Sequence, residues 1–487
     1  MLQLAFRPSL FSKYKRLIFQ SSLIQKGVSK YKRPFFGQAF FRSSLFSKGL
    51  FQKGCFKRVV LKRVDYKYSA GKSGTCEERM TFEKKDVPEV SLRETKKKEK
   101  NIEILSIPGL SVNLRHVGDV PELTANGTLK AAFNPILKKM NSRLKEEKLA
   151  LIEDDRVIAS AWLPPIPSPA FKRLIFSEIQ IALGKYIPET VSIELTRQNS
   201  SRYPPGTVAD ELDTDIIKKI IDEALESGTF IITFTENDPL LREEVFELIR
   251  YVDKKRAIVN CSTWGTDFSA ETASCLKDAG LHSLMVGIYS TDPEKHDAAR
   301  NSRGAYERAV SAIKLALEAG LMVVMTTHAS PSNIQELPAL YNLASELGVH
   351  EFSVWEAMPK TRDEPVLNDE DRKSILEMYH RINSSQNGPR MFANTYFEGQ
   401  MLGAMEGRRW MHITADGDVK AGPYPPFSFG SIKEESLKSA WQKIRSYPYF
   451  QKQKHLAPMH DPEFMEFVDR IPAGAKLPYP FGKVCEK

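Results

Sequence analysis

A strict alternation of apolar runs and amphipathic stretches between residues 191 and 382 is the feature that most constrains the fold. The apolar runs read VSIELT, FIITFT, AIVNCST, LMVGIYS, LMVVMTTHA and FSVWEAM, and a helical stretch follows each of them. Strands that are apolar on both faces belong to a parallel sheet covered by helices. The right-handed crossover rule then leaves a doubly wound sheet or a full or partial barrel, whose working surface lies at the carboxyl ends of the strands.

Four of the helical stretches run into a glycine. These are Gly228, Gly280, Gly320 and Gly348. Glycine tolerates the left-handed conformation that commonly ends a helix, so these positions predict the helix ends.

The loops after the six strands carry the most specific signal. In order they read RQNSSRYPPG, ENDPLL, WGTDFS, TDPEKHDAARNSRG, SPSN and PKTRDEP. Together with ITFTENDPLLREEVFELI and GAYERAVSAIKLALEAG, this series resembles the radical S-adenosylmethionine (SAM) superfamily over residues 160–475. The resemblance implies an α/β fold: a partial (β/α)6 TIM-like barrel of radical SAM type, with a small N-terminal subdomain and a C-terminal SPASM-like extension.

The loop after the first strand departs from the family pattern. Relatives carry C-x3-C-x2-C there, since three thiolates hold a 4Fe-4S cluster and leave one iron open for SAM. One alignment places Gln198, Arg202 and Pro205 at the cysteine positions, and the other places Asn199, Tyr203 and Gly206 there. Proline has no donor atom and arginine is a permanent cation. We therefore expect no 4Fe-4S cluster in this loop.

The tail shows a parallel loss. The stretch RRWMHITADGDVKAGPYPPFSFGSIKEESLKSAW resembles the family's SPASM or twitch-type extension, but no cysteine occurs from residue 276 to 484. Ala421 and Gly422 stand where relatives read roughly DV-x-P-C. The tail is thus not expected to hold a cysteine-ligated auxiliary cluster either.

Several polar residues fall where relatives contact SAM. The resemblance assigns Asp238 to the acid of the family's GGEP stretch, which reads Glu236-Asn237-Asp238-Pro239 here. It places Ser290, Arg303 and Glu356 near the carboxylate or ribose of SAM. Three of the four have an alternative explanation: Asp238 is a good helix cap before Pro239, Ser290 is good turn chemistry, and Arg303 suits a surface ion pair.

The five cysteines and the histidines give no other site. No two cysteines have C-x-x-C spacing, which indicates neither a disulfide framework nor a zinc site. Cys261 and Cys275 are expected in core packing, and His455 and His460 are expected to form a solvent-exposed pair that is only a weak metal signal. We assign no catalytic residue and no metal ligand.

The N-terminal segment differs in composition from the rest. Residues 1–64 hold fifteen of the 70 Lys and Arg residues and none of the 61 Asp and Glu, so residues 65–487, with 55 bases and 61 acids, carry a net charge of −6. A basic, Phe- and Ser-rich, acid-free arm is typical of a transit peptide to a mitochondrion-like matrix. The alternatives are an uncleaved arm that contacts a membrane surface or nucleic acid in a cytoplasmic protein, or an extension without a role.

These observations divide the chain into five segments. We predict an arm, a charged linker, a small α+β subdomain, the barrel and the extension, over residues 1–64, 65–101, 102–185, 186–388 and 389–487. No apolar run is long enough for a transmembrane helix.

Two functions remain open. The first is a non-radical pseudoenzyme that has lost its iron–sulfur ligands and acts as the partner subunit of an active radical SAM relative, or binds SAM or another small ligand. The alternative is an enzyme of the radical SAM family, or an enzyme with repurposed barrel-mouth chemistry: a SAM-binding transferase, or an acid/base catalyst that uses Glu236, Asp238 and His328.

Overall fold

A computed structural model describes residues 101–485, with gaps at 118–119, 129, 132–133, 135–136, 138–140, 142–147, 154–155, 183, 199–209 and 386. The described residues belong to one compact unit. The predicted arm, nearly all of the predicted linker and the loop positions Asn199, Arg202, Tyr203, Pro205 and Gly206 lie outside them.

A nine-stranded sheet forms the centre of this unit. Its strands are β6 (Thr190–Ile193), β7 (Ile231–Phe234), β8 (Ile258–Thr263), β9 (Ser283–Gly287), β10 (Val323–Ala329), β11 (Glu351–Glu356), β12 (Arg390–Ala393), β13 (Trp410–Ile413) and β14 (Val419–Lys420). The order is β12-β11-β10-β9-β8-β7-β6-β13-β14, and every neighbouring pair is parallel except β13 with β14. Parallel alignment brings the carboxyl ends of eight strands to one rim.

Helices cover the outer face of this sheet. They are α2 (Thr214–Ser227), α3 (Val245–Tyr251), α4 (Ala270–Asp278), α5 (Pro293–Arg300), α6 (Ala305–Glu318), α7 (Leu337–Leu347) and α8 (Asp369–Asn383). Their apolar stripes pack on the fully buried strand residues in one core. All four glycines predicted at helix ends have positive φ, at 106°, 79°, 71° and 78° in chain order, which confirms those ends.

The N-terminal part packs against the barrel strands. Strands β1 (Asn101–Ile107), β2 (Leu110–Val117) and β3 (Val120–Asn126) form an antiparallel sheet, followed by the pair β4 (Leu151–Ile152) and β5 (Val157–Ile158) and by helix α1 (Pro169–Ala182). Between β5 and α1, the Ala161 carbonyl accepts a hydrogen bond from Asn260 Nδ2 at 3.0 Å. The Ala161 amide donates to the Glu351 carboxylate at 3.4 Å, so this segment is tied to two barrel strands.

The C-terminal part adds to the same sheet. Beyond β12 come α9 (Asn394–Tyr396), a π-helical turn (Phe397–Met401), strands β15 (Phe427–Ser428) and β16 (Tyr479–Pro480), and helices α10 (Leu437–Ser446), α11 (Pro448–Gln451), α12 (Pro462–Val468) and α13 (Gly482–Cys485). Buried rings of Phe427, Phe464 and Phe481 pack together here. Strand β13 lies beside β6, the first barrel strand, so the extension is continuous with the barrel.

The α/β fold and its six strand–helix units are confirmed. The sequence did not predict that β12 and β13 extend the parallel sheet, because each is only four residues long and sits outside the alternating pattern. Within the described ranges, no helix has the length and apolar character needed to cross a membrane.

Candidate functional site at the barrel mouth

A cavity of about 320 Å³ opens among the carboxyl ends of the strands. Such a volume lies at the lower end of the range for small-molecule sites. Six aromatic side chains line it, from the N-terminal part, the barrel and the extension: Trp162, Trp264, Tyr289, Trp355, Trp410 and Tyr424. The predicted location at the strand ends therefore coincides with a real concavity.

Indole rings form the floor of the cavity. Trp162 packs edge-on against Trp355 at 5.4 Å between ring centroids and lies 6.4 Å from Trp410. Trp410 Nε1 donates to Ser192 Oγ at 2.8 Å. In the described part of the chain, Trp162 Nε1 and Thr233 Oγ1 are buried at the cavity wall without a hydrogen-bond partner. Buried polar atoms of this kind are usually satisfied by water or a ligand.

Arg300 supplies a cation to the cavity. Its guanidinium lies over the rings of Trp264 and Tyr289, at 4.4 and 4.6 Å from their centroids. Gly287 makes room for it, since a Cβ there would lie 2.6 Å from Arg300 Nη2. The guanidinium has no acidic partner among the described residues. A cation held between two aromatic faces and left without a carboxylate can receive an anionic group.

His328 stands at the same mouth. Its Nε2 lies 3.4 Å from Tyr424 Oη, and its ring lies 5.7 Å from that of Tyr289. Burial, with the nearby charge of Arg300, lowers the pKa of His328 to about 4. The imidazole is therefore neutral at pH 7, and Arg300 is the cation that faces the cavity beside it.

Two non-glycine residues in the turn after β7 adopt the left-handed backbone conformation that usually favours glycine. Glu236 and Asn237 have φ values of 63° and 44°. Left-handed conformations cost non-glycine residues about 1–2 kcal/mol each. The Asn237 side chain stabilises its turn because Nδ2 donates to Glu194 Oε1 at 2.6 Å and to the Thr196 carbonyl at 2.9 Å. An amide thus fills the space between β6 and β7, beside the start of the strand-one loop.

Asp238 lies behind this turn. It is fully buried, and its carboxylate accepts hydrogen bonds from Thr263 Oγ1 at 2.9 Å, the Trp264 amide at 3.1 Å and the Leu240 amide at 3.3 Å. Burial raises its pKa. The residue caps the short 3₁₀ turn Pro239–Leu241 and ties β7 to β8. These contacts match the capping alternative, and its contact with a ligand stays a prediction.

Ser290 and Arg303 are not brought into the cavity. Ser290 Oγ donates to Glu336 Oε2 at 2.6 Å and accepts from the Asp292 amide at 3.1 Å, as in a loop-ordering turn. Arg303 is exposed on the segment between α5 and α6. Arg300, at the end of α5, lines the cavity.

Glu356 lies at a strand end but faces a different cavity. Its carboxylate accepts from Arg372 Nε at 2.9 Å and from Thr395 Oγ1 at 2.9 Å. It lines a second cavity of about 220 Å³, between α8, the π-helical turn and the segment 455–460. The four predicted site residues are therefore not brought together by the fold.

The residues that do line the mouth carried little signal in the sequence. Trp162 lies in a proline-rich stretch far from the barrel strands, and Trp410 lies beyond them. Arg300 ends a short helix that reads as an ordinary solvated stretch. The rule that the carboxyl ends of the strands and the loops after them form the working surface did predict Trp264 and His328, which lie just after β8 and near the end of β10.

The tail position that resembles a cluster cysteine is sterically filled. A Cβ on Gly422 would lie 2.5 Å from Glu406 Cγ and 2.7 Å from its Cδ. Glu406 is 3% exposed, and neither of its carboxylate oxygens has a hydrogen-bond partner among the described residues. Burial raises the pKa of Glu406 to about 8, while the charge of Lys420 opposes this in part.

Comparison with known proteins shows sequence similarity to one protein family and to several of its named members. Residues 197–344 match the radical SAM superfamily. An AdoMet-dependent heme synthase of Methanosarcina barkeri is 27% identical over 274 residues, covering 51% of this chain and 77% of that protein. The protein of the same description from Nitratidesulfovibrio vulgaris is 23% identical, covering 50% and 74%. An Fe-coproporphyrin III synthase of Methanosarcina barkeri is 26% identical over 160 residues, covering 33% and 40%.

Solved structures give weaker matches. Streptococcus suis SuiB bound to the precursor peptide SuiA superposes with a TM-score of 0.48 at 13% identity, covering 78% of this chain and 97% of that chain. Native anSMEcpe with bound AdoMet superposes with a TM-score of 0.41 at 11% identity, covering 53% and 82%.

Proposed function

We propose that this chain, which matches the radical SAM superfamily over residues 197–344, binds a small ligand with a flat ring and an anionic group in its barrel-mouth cavity, without radical chemistry. SAM, which carries an adenine ring and a carboxylate, is the first ligand to test. Arg300 is the observation that carries the proposal: a guanidinium without an acidic partner among the described residues, held between two aromatic rings at the mouth.

The two halves of such a ligand meet suitable groups. Arg–carboxylate contacts are among the stronger hydrogen bonds in proteins, and desolvation by the surrounding rings strengthens them. Trp264 and Tyr289 hold the guanidinium in place, and the other indole rings offer faces on which a base can stack. Trp162 Nε1 and Thr233 Oγ1 supply hydrogen-bonding groups that lack partners in the described part of the protein.

The donor atoms of the strand-one loop do not fit the family's cluster. Thiolates hold iron–sulfur clusters, and the sequence has no cysteine between Cys76 and Cys261. Cys261 itself is fully buried in β8, where burial raises its thiol pKa well above the ordinary value. In the tail, Glu406 fills the space that a side chain at Gly422 would need. These residues therefore do not supply the thiolates that a 4Fe-4S cluster requires.

Two measurements on one anaerobic preparation test this proposal. We expect reconstitution with iron and sulfide to leave less than one cluster per chain, and calorimetry to show SAM binding, with SAM recovered intact after reduction. Four irons per chain together with 5′-deoxyadenosine would overturn the absence of radical chemistry. No detectable SAM binding would remove SAM as the ligand.

A matched pair of variants tests the role of Arg300. Arg300→Gln is expected to weaken SAM binding tenfold or more, since a charge-assisted hydrogen bond contributes about 1.5–3 kcal/mol. Arg303→Gln removes an exposed cation three residues away and should leave the affinity unchanged. Equal effects of the two substitutions would refute the assignment.

A second candidate is a SAM-dependent transferase. The observation in its favour is that Glu236 and neutral His328 line the same cavity, although Asp238 does not. Release of S-adenosylhomocysteine by the wild type but not by His328→Gln would support it. The partner-subunit role is also a proposal, tested by co-purification with an active relative at fixed stoichiometry.

A further inference from the structure

The second cavity contains a buried acid for which the barrel-mouth proposal has no use. Glu398 lies on the π-helical turn Phe397–Met401, is only 7% exposed and lines this cavity of about 220 Å³. Among the described residues, its carboxyl makes no hydrogen bond or ion pair. Because Glu398 lines the cavity and has no protein partner in the described ranges, its hydrogen bonds are left to water or to a ligand in the cavity.

The neighbouring charges favour a cation as that partner. Burial, together with the charges of Glu406 and Glu356, raises the pKa of Glu398 well above its ordinary value, and Arg408 opposes this only in part. The other cation at the cavity wall, Arg372, is already paired with Glu356 at 2.9 Å. An anion would meet the carboxylate of Glu356 and an arginine that is already paired, whereas a cation compensates the negative charge that Glu398 acquires when it ionises.

The wall chemistry favours an organic cation over a metal ion. Of the residues that the structure describes, no group of three or more His, Cys, Asp or Glu side chains is arranged to hold a metal. The histidines at this cavity bond to backbone carbonyls, His455 Nδ1 to Gly399 at 3.1 Å and His460 Nε2 to Ala357 at 3.0 Å. Leu376 and Leu456 make the rest of the wall apolar.

We propose that this cavity binds a small alkylammonium, with the ammonium group on the Glu398 carboxylate and the alkyl chain against Leu376 and Leu456. Its volume is below the usual range for drug-sized ligands, so the occupant is small. Binding ionises Glu398 and releases its proton to solvent. The site is separate from the barrel-mouth cavity, so its test does not depend on SAM.

Calorimetry of the full-length chain with n-propylammonium chloride tests the proposal. n-Propanol and sodium propionate are neutral and anionic probes of the same chain length. We expect n-propylammonium to bind at least tenfold more tightly than either. Titrations in phosphate and in HEPES, which differ in ionisation enthalpy, should show release of close to one proton per ligand. Equal affinity for the three probes, or binding without proton release, would overturn the proposal.

Two substitutions complete the test. Glu398→Gln keeps the shape of the protonated acid but cannot ionise, and is expected to weaken n-propylammonium binding tenfold or more. Glu377→Gln removes an exposed acid on α8, one residue beyond the wall residue Leu376, and should have no effect. Thermal unfolding checks that both variants fold. Unchanged binding by folded Glu398→Gln would refute the assignment, and the proton release of the wild type decides the question if that variant does not fold.

The pH dependence provides an additional check. Charged and titratable groups around Glu398 come from every neighbouring element: Glu356, Arg372, Glu406, Arg408, His455 and His460. Burial lowers the pKa of His460, so at neutral pH it adds no positive charge. Affinity for n-propylammonium should rise with pH as Glu398 becomes easier to ionise. A falling affinity between pH 6 and 8 would contradict the proposal.

Discussion

Restoring a side chain at Gly422 tests whether the tail has lost the space for a cluster cysteine. A Cβ there would lie 2.5 Å from Glu406 Cγ, well inside van der Waals contact. Both the Cγ and the Cδ of Glu406 are affected, so rotation of the carboxylate alone cannot relieve the clash. Overpacking of a buried site costs about 1–3 kcal/mol, and we expect Gly422→Ala and Gly422→Cys to lower the free energy of unfolding by that amount.

A double-mutant cycle identifies the cause. In a Glu406→Ala background the obstructing side chain is gone, so adding Gly422→Ala should cost less than about 0.5 kcal/mol, leaving a coupling of about 1 kcal/mol or more. Gly482→Ala is the control, because its Cβ would lie 3.4 Å from Tyr447 Oη, an ordinary contact.

Urea unfolding measures these differences. With a slope of about 1–3 kcal/mol per M, a loss of about 2 kcal/mol moves the midpoint by roughly 1 M. The reasoning is refuted if Gly422→Ala and Gly482→Ala unfold at the same urea concentration. It is also refuted if the cost of Gly422→Ala is the same with and without Glu406.

Three further predictions concern stability. Burial lowers the pKa of His282 to about 4. Below about pH 6.5 the unfolded state therefore binds a proton at this histidine that the folded state does not bind, and the free energy of unfolding falls towards pH 4. His282→Asn should reduce the slope of the free energy of unfolding against pH by about 1.4 kcal/mol per pH unit, as measured by urea titrations. Arg390→Met leaves the buried Glu351, which pairs with Arg390 at 3.1 Å, without its cation, and should lower the free energy of unfolding by about 3–5 kcal/mol. Arg362→Met breaks the half-exposed pair with Asp469 and should lower it by about 1 kcal/mol or less in the same urea titrations. Asn368→Ala removes the capping box of α8 and should cost about 1 kcal/mol, measured as a shift in the thermal midpoint; no shift would contradict the capping role.

Prediction from sequence worked best where the signal is local. The six strand–helix units and the four glycines at helix ends follow from periodicity and backbone chemistry within short windows, and the structure confirms them. The capping explanation for Asp238 also came from a local rule, and the observed hydrogen bond from the Leu240 amide agrees with it. The domain boundary at residue 388 remains a prediction, although β12 lies beyond it and still pairs with β11.

The candidate site was harder to predict because its residues are far apart in the chain. The resemblance to the radical SAM superfamily assigned Ser290, Arg303 and Glu356 from their positions after the strands. Ser290 orders its own loop, Arg303 faces solvent and Glu356 faces a second cavity. Arg300 is the last residue of α5, whereas Arg303 lies in the segment after it, so the point at which the helix ends decides which of the two side chains enters the cavity.

Two conclusions follow from the amino-acid sequence alone: the parallel α/β arrangement, from the alternation of strands and helices, and the lack of thiols in the strand-one loop, from the positions of the cysteines. Both are properties of composition and spacing, which folding cannot change. That Trp162, Arg300 and Trp410 line one cavity, and that Glu398 lines another without a protein partner in the described ranges, is seen only in the folded chain. Those juxtapositions depend on how elements far apart in the chain pack and rotate against each other, and no local pattern encodes that geometry.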